Sequence, residues 1–538
     1  MLNRRQWLSR GGALLGTTLV GACGAGGNPV AQVQAMLQTP IRSATGQPNA
    51  LSLQLDPRAA GVAVNRAVLG QNLHWVDRGD EMFDSAAELR PAMASLAARV
   101  GTTSLRYPGG LQSDTFHWKL GMGLRTERGL NEHANAKRFQ PTLVGTQELL
   151  ELCEQLGAQP LITVNLASGT AAEAADWVRA VNVTGLTSRR TGQRLPRVPL
   201  WELGNEPYLQ PEEQPALWMN ASAFAQKARE FAKAMRQVDP GIALSLPITL
   251  DKRHGVPATP LPGFAREVLA SPIEGVSHFS LHNAYLPFGA DAEHSTDRLY
   301  WAAMAAGRGL SADLAANRQL LAELQPGATP RWALTEFNAL FSLGRSTDTL
   351  TLSPAGGLAL AELLRQLVLE PDVELAQGWS LSGNGFFGAI HPDAWLRPTG
   401  QVLALFREGL VGQRLPCTLQ APTVNTPALG FTPAAENLPV ATALACREGD
   451  TLRLLVLHKD PANPAELTLQ LGAHRIDSGR ISQLSTEQLF DTRDVPDTLR
   501  RTDRGWAAPP GAPTLSLPPH SLTLLTLVLS PQPETATA

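Results

Sequence analysis

The feature that most constrains this chain is an eightfold alternation of short apolar runs with longer helical patterns. The runs are 67–73, 104–108, 161–165, 199–203, 243–247, 279–282, 332–335 and 376–381. Between them, apolar residues recur at helical spacing over 146–156, 171–181, 222–238, 311–324 and 355–369. Strands that alternate with helices must pair in parallel, so the choice lies between a doubly wound sheet and a closed barrel. Eight strands favour a (β/α)8 TIM barrel over about residues 66–410, an α/β fold whose active site lies at the C-terminal ends of the strands.

Past 410 the pattern changes to runs of period two, such as 451–458, 465–471 and 521–529, separated by turns containing Pro and Gly. Residues 411–530 therefore read as a C-terminal antiparallel β-sandwich, with 531–538 as a tail. The early run 51–55, within 50–65, has the same alternation and is expected to join that sandwich as one strand. Hydrophobic residues at 43% and charged residues at 17% can fill both cores. A net charge of -3 without a long basic run gives no footprint for nucleic acid.

The first 23 residues read as an export signal. Arg4 and Arg5 precede the modestly apolar stretch 11–22, which is too short to span a bilayer. The twin arginines resemble the signal of the route that exports folded proteins. The segment Leu19-Val20-Gly21-Ala22-Cys23 resembles a lipoprotein cleavage box, with Cys23 as the lipidated residue and membrane attachment as its consequence. A plain cleaved signal is the competing reading. Residues 24–49 form a linker, and periplasmic or membrane-anchored placement in a bacterium follows. Cys417 and Cys446 share the C-terminal region and could pair in an oxidising compartment, whereas Cys153 reads as a buried helix residue.

Two carboxylates stand at strand ends across the expected barrel mouth. Trp201-Glu202-Leu203-Gly204-Asn205-Glu206-Pro207 ends the fourth strand, and Trp332-Ala333-Leu334-Thr335-Glu336-Phe337-Asn338 ends the seventh. Retaining glycosidases need such a pair, one to protonate the leaving oxygen and one to attack the anomeric carbon. Glu206 is assigned as acid/base and Glu336 as nucleophile. Glu202 is the nearest competitor, since alternation sends it to the same side as Glu206, but its earlier position suits a buried structural group. Asn205 is a candidate partner for the sugar 2-hydroxyl, Trp379 for a platform under the ring, and Arg106 for holding Glu336 ionised. His282 and Tyr285 follow the sixth strand and are candidates for orienting Glu336. For each of these supporting residues a purely structural role competes. This chemistry runs on carboxylates alone, so no metal or other cofactor is expected, and no His, Asp or Glu cluster has ligand spacing in the sequence.

These motifs resemble the clan of glycoside hydrolases whose acid/base follows Asn after strand four, and within it family 51, the α-L-arabinofuranosidases. Leu105-Arg106-Tyr107-Pro108-Gly109-Gly110 with Trp118, the stretch Val164-Asn165 with Gly169-Thr170 and Trp177, and the Glu206 segment carry the likeness. The Glu336 segment is also similar to β-xylosidases of family 39. Asn165 and Trp75, at the third and first strand ends, join the substrate-binding candidates. Two departures fall on sugar-binding positions. Gln71-Asn72-Leu73-His74-Trp75 stands where the family has Glu-His, and Leu111 stands where it has Asn after the paired glycines.

The resemblance implies release of α-L-arabinofuranosyl groups from a plant-type poly- or oligosaccharide. Its alternatives are action on β-xylosides, β-glucuronides or β-glucans and, from a different class, a surface lipoprotein that binds glycans without cleaving them. Oligomeric state is not legible.

Overall fold

The computed structural model describes residues 40–210, 214–251, 258–283, 296–338, 350–383, 385, 387–430, 432–509 and 513–531. Cys23 and the twin arginines, like Tyr285, lie outside the described residues.

The eight alternating runs close a parallel barrel. Its strands in order are Gly70–Asn72, Ser104–Tyr107, Gln159–Val164, Leu200–Leu203, Ala243–Pro247, Val276–His282, Arg331–Phe337 and Val373–Gly378, and the eighth pairs with the first. The first strand is shorter than its apolar run because Ala67–Leu69 form a 3-10 turn. Asn65 Oδ1 accepts a hydrogen bond from the Ala67 amide at 2.9 Å and so starts that turn. The helix expected from residue 171 keeps its α form over Ala171–Val178 and finishes as a π turn over Arg179–Thr184. The helix expected from residue 311 begins at Ala306. Gly307 lets it lie close to helix Pro354–Leu369, since a Cβ there would come 3.1 Å from Glu362 Oε1.

Behind the barrel two sheets face each other. One holds seven strands in the order Val62–Ala63, Gln413–Leu415, Ala441–Glu448, Thr451–His458, Ser521–Pro531, His474–Ser485, Arg500–Trp506. The other holds four, in the order Thr418–Gln420, Asn49–Gln54, Ala465–Gln470, Thr514–Leu517. Leu51 and Leu53 point inward with Leu454, Val456, Leu467, Leu469 and Leu525 to form one apolar layer. One pairing departs from the antiparallel expectation: Asn49–Gln54 runs parallel to Ala465–Gln470. The strand arrives from the N-terminal side of the barrel and fills a gap between two strands of the far end of the chain, so its direction is not set by a hairpin. Cys417 and Cys446 are free thiols, which corrects the pairing considered from sequence. Burial pushes both thiols up, Cys446 to about 11.

A buried ion cluster joins the two parts. Glu362, on helix Pro354–Leu369, accepts from Arg365 at 2.8 Å and from the Thr442 hydroxyl at 2.7 Å, and lies 3.2 Å from Lys459 Nζ. No helix among the described residues is long and apolar enough to cross a membrane.

Candidate active site

The fourth strand ends at Leu203, and Gly204 turns the chain with φ +83°, where a Cβ would meet Leu166 Cβ at 3.0 Å. Two residues on, Glu206 itself has φ +39°. A non-glycine residue in this region is strained, and the strain aims the carboxyl inward instead of along the strand. Glu336 stands one residue before the end of the seventh strand. The Glu206 and Glu336 side chains are 25% and 17% exposed, so both reach solvent at the strand ends. Oxygens of the two carboxyls lie within 4.8 Å of one another.

Arg106, at the end of the second strand, ties the site together. It is fully buried, and each nitrogen has an acceptor: Nε donates to Glu202 at 2.6 Å, Nη1 to Glu336 at 2.7 Å and Asn72 Oδ1 at 3.0 Å, and Nη2 to Asn205 Oδ1 at 2.8 Å. Burial works against its charge, but Glu202 and Glu336 outweigh it and hold the proton more firmly than usual. A planar guanidinium suits this task because its donors spread over three directions at once.

Glu202 is wholly buried and committed. Besides Arg106 it accepts from the hydroxyls of Thr163 at 2.7 Å and Thr335 at 2.8 Å. Burial raises its proton affinity, yet Arg106 and His282, with the hydroxyls of Ser280 and Thr163, hold the carboxyl below the usual range. It acts as a fixed anion that neutralises Arg106. For Glu336, burial and Glu206 raise the carboxyl above the usual range, while His282 and Arg106 favour its ionised form. Glu202 and Glu336 thus differ in solvation and in partners, which separates their roles.

His282, at the end of the sixth strand, has Nδ1 3.1 Å from Glu206 Oε1 and 3.7 Å from Glu336 Oε1. Burial lowers its proton affinity, and the charges of Glu336 and Glu206 more than offset this, so its pKa lies above the ordinary value. The trio Glu206, His282 and Glu336 presents three ligand-capable atoms within 4.8 Å of one another. These residues have no ligand spacing in the sequence, and the fold gathers them from positions 54 and more apart. Arg106 already donates to Glu336 Oε1, and its positive charge opposes a cation at that oxygen.

Trp379 follows the eighth strand and is half-buried, with its ring against the edge of His74 at 4.4 Å between centroids. Gly110 lies against that ring: a Cβ there would come 2.3 Å from Cη2, so only glycine lets the loop approach the indole. Asn205 is buried, and its Nδ2 has no acceptor among the described residues. Its Oδ1 accepts from Arg106, which fixes the amide plane and leaves the Nδ2 hydrogens unspent.

Two sequence assignments are corrected. Trp75 is 1% exposed and packs on Phe116 at 5.7 Å within the core, so it offers no open face to a sugar. Asn165 spends its amide on its own loop: Nδ2 donates to Ser168 Oγ at 2.8 Å and Phe116 O at 3.2 Å, and Oδ1 accepts from the Ser168 amide at 2.9 Å. Three residues escaped the sequence reading. Thr335 links His282 to Glu202, Asn72 braces Arg106, and Asp114 brings a third carboxyl close to the pair. Thr335 and Asn72 adjoin or end strands already assigned, and that position was the available signal.

Residues 96–261 match the family model described as the alpha-L-arabinofuranosidase 1 domain. Among curated proteins, a probable alpha-L-arabinofuranosidase C of Aspergillus flavus is 35% identical over 26% of this chain and 29% of its own length. The intracellular exo-alpha-(1->5)-L-arabinofuranosidase of Streptomyces lividans is 27% identical over 44% of this chain and 38% of its own. The chain thus spans about a third of the length of the curated relatives it matches. In fold, an alpha-L-arabinofuranosidase of Thermotoga maritima superposes with a TM-score of 0.72 at 21% identity, over 89% of this chain and 100% of the other. A family 44 xyloglucanase of Paenibacillus polymyxa reaches 0.60 at 14% identity, over 89% and 100%. The likeness to family 51 is therefore present both in the sequence of the barrel's middle strands and in the fold of most of the chain.

Proposed function

We propose that this chain is a retaining glycoside hydrolase that releases α-L-arabinofuranosyl groups from plant-type poly- or oligosaccharides. The observation that carries the reading is the approach of Glu206 and Glu336 oxygens to within 4.8 Å, which suits the roughly 5 to 5.5 Å between carboxyl groups of a double displacement better than the wider gap that leaves an inverting enzyme room for a water. The sugar comes from the family likeness of residues 96–261.

In the first step Glu336, kept ionised by Arg106 and His282, forms a bond to the anomeric carbon as the glycosidic C–O bond breaks. Glu206 gives its proton to the departing oxygen. Ester formation removes the negative charge on Glu336, so Glu206, now a carboxylate, no longer faces a like charge. In the second step it takes a proton from water, the water oxygen bonds to the anomeric carbon and the ester C–O bond breaks. Both carboxyls return to their starting state, and the sugar leaves with its original anomeric configuration.

A panel of aryl glycosides, with proton NMR of the first-formed anomer, tests this. Turnover of the arabinofuranoside with the retained anomer is expected. Preference for a β-xyloside, β-glucuronide or β-glucan overturns the sugar, an inverted anomer overturns the mechanism, and glycan binding without turnover overturns the enzyme. Export with lipidation at Cys23 is part of the same proposal. Palmitate labelling that Cys23→Ala abolishes supports it, and an unlabelled chain overturns it.

A further inference from the structure

The loop after the second strand carries a carboxyl that the proposed chemistry does not use. Past Gly109 and Gly110 the chain makes a 3-10 helix over Gly110–Thr115, which holds Asp114. Asp114 is 8% exposed; no hydrogen bond or ion pair to its carboxyl is found among the described residues, and its oxygens are not sealed from solvent. Buried carboxylates are ordinarily paired or hydrogen-bonded, so a bare one asks for an explanation.

Strain or looseness of the loop does not supply it, because the backbone on both sides is pinned. Ser168 Oγ donates to the Asp114 carbonyl at 2.7 Å, and Asn165 fixes Ser168 from two sides. Thr115 donates to Glu132 O at 2.9 Å, and Ser113 to Gly110 O at 2.8 Å. The loop is built to hold the Asp114 side chain in one place. That place is beside the carboxylate pair: Gly110, which opens the same turn, lies against the Trp379 ring, and Glu206, Arg106 and Glu336 are the charges that act on Asp114. Burial, then Glu206 and Glu336, push its carboxyl well above the usual range, against Arg106. A protonated carboxyl offers one donor and one acceptor side by side, which complements two neighbouring hydroxyls on a sugar ring.

We infer that Asp114 is a third carboxyl of the sugar site, hydrogen-bonding two adjacent hydroxyls of the neutral ring held between Glu206 and Glu336. This rests on the glycoside hydrolase reading, and Asp114 binds substrate without taking part in bond making.

The experiment compares wild type with Asp114→Ala and Asp114→Asn in three readouts. These are L-arabinose binding by tryptophan fluorescence, kcat/KM on the best aryl glycoside of the panel and on analogues lacking one ring hydroxyl at a time, and Tm. Asp114→Ala is expected to weaken both binding and kcat/KM by about tenfold or more with little change in Tm. Asp114→Asn, which keeps a donor and an acceptor, is expected to recover most of that loss. Removal of the partner hydroxyl should cost little further in Asp114→Ala, the non-additivity of groups in contact. Unchanged binding and kcat/KM in Asp114→Ala overturns the inference and leaves the hydrolase reading standing. A loss in Asp114→Asn equal to that in Asp114→Ala also overturns it. A wild type that binds the sugar without hydrolysing any glycoside overturns the hydrolase reading, and the binding series still decides Asp114.

Discussion

Nε2 of His282 lies 2.7 Å from the hydroxyl of Thr335, and that hydroxyl already donates to Oε1 of Glu202 at 2.8 Å. A hydroxyl has one proton, so Thr335 must accept from His282, and Nε2 carries a hydrogen in either charge state of the ring. In the neutral ring Nδ1 is then the lone pair facing Glu206, the arrangement that receives a proton shared with a carboxylic acid. The ionised Glu202 thus fixes, through one hydroxyl, the tautomer presented to the acid/base group.

Thr335→Val removes the acceptor at Nε2 and allows the opposite tautomer, whose Nδ1–H favours a carboxylate at Glu206. The expected result is a fall in kcat of about tenfold, less than the roughly 10²- to 10⁴-fold of a whole acid/base group, with the alkaline limb of the pH profile moved to lower pH. Thr335→Ser keeps the relay and should restore the limb. A profile unchanged in Thr335→Val removes the relay from the mechanism.

Arg106→Lys keeps the charge but cannot reach Glu202, Glu336, Asn72 and Asn205 together. It should lower kcat/KM at least about a hundredfold, and Arg106→Met should also destabilise the fold by about 3 to 5 kcal/mol, because Glu202 is left buried without its cation. Chemical denaturation and steady-state kinetics separate the two effects.

Glu336→Gln should leave a folded protein that has lost on the order of 10⁴-fold or more in kcat on every aryl glycoside. Glu206→Ala should lose far less on substrates whose leaving phenol is acidic than on those with an alkyl leaving group, since only the latter need protonation. Equal losses on both would take the acid role from Glu206.

The cluster at Glu362 predicts how stability changes with acid. Burial opposes its charge, but Arg365, Lys459 and Thr442 lower its pKa to about 2. Lys459 also shifts down, to about 8, since burial and the nearby arginines outweigh its one carboxylate. The asymmetry is physical: the anion has three partners and the ammonium has one. A depressed carboxyl contributes stability that is present above its unfolded value and lost as pH falls toward 2, here of the order of 3 kcal/mol. Denaturation of Glu362→Gln should show that much loss at pH 7 and a flatter decline between pH 4.5 and 2. A mutant curve parallel to wild type across this window would refute the assignment.

The barrel was legible because each strand ran apolar between turn signals, and the two carboxylates because both ended strands. Trp75 misled for the same reason: a tryptophan at a strand end has no sequence mark that separates the mouth from the packed layer below. Asn165 misled because its position is that of a ligand-binding amide, while its amide serves Ser168 three residues on in its own loop. Asp114 was invisible because only tertiary folding brings a 3-10 turn over the mouth, and a lone aspartate in a loop usually faces water. The parallel strand Asn49–Gln54 had the right alternation, but alternation carries no direction.

That strand also sets an order of events. Ser52 meets Gln470 across 418 positions, so the four-stranded sheet has no second and third neighbours until most of the chain has left the ribosome. The earliest described strand is therefore among the latest to find its place, and the barrel can close before the layer behind it is whole. Trimming residues ahead of Leu55 would strip an interior strand from the distant end of the protein, so its two termini share one fate during biosynthesis.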